Sequence, residues 1–158
     1  MRCYEITLKD DTHIQLRLTS AKLEWYLKET QSDQQNPLLG VLDAVAILGN
    51  RIKLLTAALQ WPKNTNTVKD GAELLDLLLD DGMAPSEISN MILKLACQAG
   101  LMEENELESM MAANAEGTVK FRDALRDFLA GKTPAAAETA PQDSGGQEAN
   151  PTAAPEQP

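Results

Sequence analysis

The chain has 158 residues, with 24 Asp and Glu against 14 Lys and Arg, for a formal net charge of -10. This balance argues against nucleic acid as a partner, because binding to a phosphate backbone is driven by Lys and Arg displacing counterions. Two distant cysteines, Cys3 and Cys97, make neither a disulfide framework nor a zinc site, and no stretch approaches the roughly 18 apolar residues a bilayer-crossing helix needs.

Residues 2–9 alternate, with Tyr4, Ile6 and Leu8 on one face, and residues 12–19 alternate again through Ile14, Leu16 and Leu18. Period two predicts two strands. Asp10 and Asp11 between them are turn residues. A lone hairpin is marginal in water, so its apolar face must pack on helices. Thr19 or Ser20 can cap a helix from Ala21, with Leu23, Tyr26 and Leu27 as its apolar stripe. The polar run Gln31 to Pro37 reads as a loop.

From Val41 to Gln60, the residues Leu42, Val45, Leu48, Ile52, Leu55 and Leu59 recur at steps of a single long amphipathic helix. Trp61-Pro62 stops it, since the residue before Pro is pushed out of the helical region. The next helix, Val68 to Asp81, carries Leu74, Leu75, Leu77, Leu78 and Leu79, apolar around much of its girth, and so should be central. Gly82 suits its C-terminal cap. Pro85 and Ser86 open a helix with Ile88, Met91, Ile92 and Leu95 inward, closed by Gly100. Glu103 to Glu116 is a weaker helix, and Gly117 separates it from Thr118 to Ala130, whose apolar residues are Val119, Phe121, Leu125, Phe128 and Leu129. Thr133 to Pro158 lacks Leu, Ile, Val, Met and aromatic residues, so it cannot offset its ordering entropy and should be disordered. The expected architecture is a mainly α fold with an N-terminal β-hairpin, about five to six helices over residues 1–132, and an acidic Ala/Pro-rich tail over 133–158.

Little in the chain is equipped for catalysis. His13, the only histidine, stands on the polar face of the hairpin with no partner motif. Cys97 sits among apolar helical neighbours and reads as a small core residue. The pairs Asp10-Asp11 and Asp80-Asp81 lack calcium-loop spacing, and Gly131-Lys132 lacks the glycine and strand of a phosphate loop. Glu103, Glu104, Glu106 and Glu108 favour a helix N-terminus. No enzyme activity, cofactor or metal is expected. The opening MRCYEITLKDD carries charges where a secretory leader needs an apolar core, so a reducing cytoplasm is the expected compartment.

The chain should instead work through a surface. Thioether side chains adapt to varied partners, and Met102, Leu107, Met110 and Met111 are candidates to border a groove for an apolar helix, although ordinary core filling explains them as well. With the aromatic residues, the partner-facing set is Trp25, Tyr26, Trp61, Met102, Met110 and Met111, in whichever members prove exposed.

The order of motifs carries a resemblance. LRLT at Leu16–Thr19 leads straight into a helix, AALQ at Ala57–Gln60 ends the leucine-rich one, AELLDLLLDDGM follows, and LACQAGLM closes the next. Over about Tyr4 to Met102 this resembles the tail assembly chaperones of long-tailed bacteriophages and prophages of Gram-positive bacteria, although LKETQSDQQ stands where that family usually has E-K-K-L-G. The resemblance implies a non-enzymatic protein of the host cytoplasm that binds and solubilises the helical tape measure protein and helps bring tail tube protein to it. It also implies a longer frameshifted form diverging near Gly131-Lys132. Two other classes fit the composition: a structural tail or head–tail completion component of the virion, and a small helical interaction adaptor.

Overall fold

The structure, a computed structural model, describes residues 3–59 and 67–131. Strands β1 (Tyr4–Thr7) and β2 (His13–Leu16) pair antiparallel with Tyr4 opposite Leu16 and Ile6 opposite Ile14. Their turn closes through Asp11 N donating to Leu8 O and Leu8 N donating to Thr12 O, both at 3.0 Å. Asp11 takes the left-handed conformation, which Asp tolerates better than most residues. The Thr12 N–H donates to Asp10 Oδ1 at 3.0 Å and holds that carboxyl below its usual range. Ile6, Leu8, Ile14 and Leu16 are buried, so the hairpin's apolar face is covered as its marginal stability requires.

Seven helices follow among the described residues. The first, α1 (Ser20–Thr30), is capped by Thr19, whose Oγ1 accepts from Lys22 N at 3.3 Å. Next come α2 (Pro37–Ala46) and α3 (Leu48–Leu59), in place of the single helix expected over 41–60. Pro37 opens α2 instead of ending a loop, its missing N–H costing nothing at a first helical position. The interruption is Ile47, which is extended (φ -110°, ψ 114°). The carbonyls at the end of α2 that lose helical partners are taken up by Arg51, whose Nε donates to Ala44 O at 3.1 Å and whose guanidinium also reaches Val45 O. Apolar spacing runs on across the break, so periodicity does not register it. The expected stop at Trp61-Pro62 and the tail over 133–158 lie outside the described residues.

Helix α4 (Gly71–Asp80) is capped by Asp70, whose carboxylate accepts from Ala72 N and Glu73 N at 2.9 Å each. It packs on α3 at very close range. A Cβ at Gly71 would run into Ile52 O and lie 2.8 Å from Thr56 N, and Gly71 N donates to Thr56 Oγ1 at 2.8 Å. The central position expected for α4 is corrected: Leu74, Leu75 and Leu78 are buried, but Leu77 is half-buried and Leu79 is exposed. The central helix is α3, which meets α1, α2, α4 and β2.

Helix α5 (Pro85–Gln98) buries Ile88, Met91, Ile92 and Leu95 as the pattern predicts, and Leu93 and Ala96 besides. Helices α6 (Glu104–Ala115) and α7 (Thr118–Leu129) are the last elements of the described residues, separated by Gly117 at φ 119°. Leu125 and Phe128 of α7 pack on the core; the side chains of Val119, Phe121 and Leu129 lie outside the described residues. None of the described helices is long and apolar enough to cross a membrane.

The core has two apolar clusters. One joins α1, α2, α3, α5 and α6 through Leu27, Val41, Leu54, Ile92, Met102 and Met110. The other joins the hairpin to α3, α4 and α5 through Ile14, Leu16, Leu55, Leu74, Leu78 and Met91. In the first, Tyr26 is completely buried, and its hydroxyl donates to Gly40 O at 2.6 Å, pinning α1 to α2. Burial, with the nearby Asp43 charge, pushes the Tyr26 phenol well above its ordinary range.

Leu54→Ala should cost about 2–5 kcal/mol in urea unfolding, whereas Leu79→Ala, at an exposed position, should change stability by less than about 0.5 kcal/mol. Tyr26→Phe should cost about 1 kcal/mol at neutral pH through the lost hydrogen bond. The same variant reports on pH. Tyr26 stays protonated in the folded chain while the unfolded chain ionises near pH ~10. Its contribution is therefore complete below that pH and is lost as pH rises toward the folded value. The alkaline fall in stability should be shallower in Tyr26→Phe, with Tyr4, also raised by burial, supplying the remainder.

Candidate protein-interaction surface

The six residues singled out from the sequence do not form one surface. Tyr26 is the buried pin between α1 and α2. Met102 and Met110 are buried in the first cluster, and Met111 and Leu107 are half-buried against it. The methionines do come together, but as core under α6, so the proposed methionine-bordered groove is filled by the chain's own side chains. Burial withdraws Tyr26, Met102 and Met110 from a partner-facing role in this conformation. Trp25 is 39% exposed on α1, away from the buried Tyr26, Met102 and Met110. Trp61 lies outside the described residues.

Two adjacent apolar side chains are exposed at the α2–α3 break. Ile47, extended at the break, and Leu48 after it are 49% and 59% exposed. The chain leading to them, Val45 and Ala46, forms one wall of a cleft of about 610 Å³. The N-terminal turn of α5 supplies Pro85, Ser86 and Ser89, and the α6–α7 corner supplies Asn114, Ala115, Gly117 and Leu125. Most of the lining is therefore carbon.

Its polar groups are tied down locally. Ser89 Oγ donates to Pro85 O at 3.1 Å. Asn114 Nδ2 donates to Ser86 O at 2.8 Å and to Asn90 Oδ1 at 2.7 Å, joining the end of α6 to the start of α5. Arg51 is half-buried, and desolvation lowers its guanidinium basicity from the ordinary value. It is the one charged side chain of the described lining. The arrangement offers an apolar trough with fixed hydrogen-bonding groups, suited to holding a side chain or helix face of a partner.

Sequence reasoning missed this surface because it assigned Leu48 to a buried helical stripe. The available clue was Arg51 inside the apolar run LGNRIKLL, where a charge must find acceptors or water. Elsewhere, His13 Nδ1 lies 3.2 Å from both Thr7 Oγ1 and Glu5 Oε1 on the exposed hairpin face. Cys97 is half-buried beside Tyr4 and Lys94 in a shallow hollow, not fully in the core. Comparison with known proteins gives no match: no family model fits the chain, and no curated protein or solved structure is significantly similar to it.

Proposed function

We propose that the chain is a phage tail assembly chaperone that binds and solubilises the tape measure protein during tail morphogenesis, in the bacterial host cytoplasm and without catalysis. The observation that carries this reading is the apolar cleft, with exposed Ile47 and Leu48 next in the chain to its lining residues Val45 and Ala46. A contiguous apolar surface rimmed by polar residues is a mark of protein-binding sites, and a long helical partner supplies apolar side chains at helical spacing to fill such a trough. The motifs LRLT, AALQ, AELLDLLLDDGM and LACQAGLM support the same family. The formal charge of -10 suits a protein that must keep an apolar client dispersed, because like-charged complexes repel one another. Tail tube protein is the second partner this reading implies.

Co-expression with the tape measure protein encoded alongside should leave that protein soluble and co-purifying with this chain. Leu48→Asp should reduce the recovered complex by about tenfold, the effect of losing one strong contact, while the variant's circular dichroism and unfolding midpoint stay unchanged. A tape measure protein that remains insoluble beside the native chain would overturn the reading. Stoichiometric presence of the chain in purified virions would replace it with that of a structural tail component.

A further inference from the structure

We infer that the cleft selects a helical partner segment that places an Asp or Glu side chain against Arg51 from within an otherwise apolar face. This deepens the docking reading and rests on it. Arg51 projects from the first turn of α3 into the cleft and is held in place by two carbonyls of α2, Ala44 O and Val45 O. Those bonds use part of its five N–H donors. Among the described residues no carboxylate forms an ion pair with it, and Glu5, Glu24 and Asp123 pair with other cations.

In the open cleft the remaining donors are accessible to solvent. A partner covering the cleft removes that access. A purely apolar face would then leave a half-buried cation with unmet donors, which is strongly disfavoured. A carboxylate in the same place meets a planar fork already fixed in orientation, the geometry in which Arg binds acids best. Among the described lining residues no other side chain is charged, so the discrimination there falls on one group. The cleft thus takes apolar helices in general and prefers those with a single acid in register. A second copy of this chain is the alternative occupant, and the experiment separates the two.

The full chain is titrated calorimetrically with two synthetic helical peptides of Leu, Ala and Lys with blocked ends, identical except for Glu or Gln at the centre of the apolar face. The native chain should bind the Glu peptide about tenfold more tightly, the scale of one charge-assisted hydrogen bond. Arg51→Gln should erase the preference, read as the ratio of the two peptide affinities. Because Arg51 also holds the end of α2, Arg51→Lys is measured beside it. That variant keeps the charge, loses the fork, and should retain only part of the preference. Leu48→Asp should weaken both peptides. Equal affinity of the native chain for the two peptides would overturn the carboxylate requirement and leave the docking reading standing. A preference untouched in both Arg51 variants would overturn Arg51 as its source. Failure of both peptides to bind, or indifference of both to Leu48→Asp, would overturn the cleft as a docking site as well. Self-association in sedimentation that Leu48→Asp abolishes would assign the cleft to a second copy instead.

Discussion

The fold depends on α3 being buried on two sides at once. Leu54 and Ala57 face the cluster shared with α1, α2 and α5, while Leu55, Ala58 and Leu59 face the cluster under the hairpin and α4. A helix in this position can carry no bulk that does not fit one side or the other, and its two alanines are fully buried where neighbours come close. Gly71 takes this to its limit, because the start of α4 touches α3 backbone where a Cβ has no room. The hairpin joins the same helix by backbone as well as by side chains. Arg17 N donates to Ala58 O at 2.9 Å, satisfying one of the last carbonyls of α3, which have no partner within the helix.

Burial of α3 also explains why the helical run breaks where it does. Were α2 and α3 continuous, the α2 residues could not turn back to cover α1 and α5, and Val41, Leu42 and Val45 would lose their core. The chain bends at Ile47 instead, and the bend leaves α2 carbonyls without N–H partners. Arg51 supplies donors from the next helix. The interaction that stabilises the bend therefore also places a cation beside an apolar cleft, and the bend that makes α2 part of the core pushes Ile47 and Leu48 into solvent. Structural need and exposed surface come from the same few residues.

Charge and apolar surface are divided accordingly. Acids cap helices and line the outside: Asp70 serves α4, Glu87 returns to Ala84 N at 2.7 Å on α5, and Glu106 to Glu103 N at 2.7 Å on α6. Lys9 joins the hairpin turn to α4, its N–H donating to Asp81 Oδ1 at 3.0 Å. These links are local or near the surface. They close helix ends without reaching the cleft, where Arg51 is the one charge of the described lining.

The local chemistry of the chain was legible in its sequence. Alternation in Tyr4–Leu8 and Ile14–Leu18 marked the hairpin, Thr19 the start of α1, Gly82 and Gly117 the ends of α4 and α6, and the spacing of Ile88, Met91, Ile92 and Leu95 the buried face of α5. Each depends on the backbone preferences or side-chain period of residues close together in the chain, which any sequence displays. The break at Ile47, the peripheral place of α4, the burial of Tyr26, Met102 and Met110, and the cleft beside Arg51 were decided only by the tertiary structure. Each depends on which helix lies against which, and an apolar residue carries the same periodicity whether its face meets a neighbour or water.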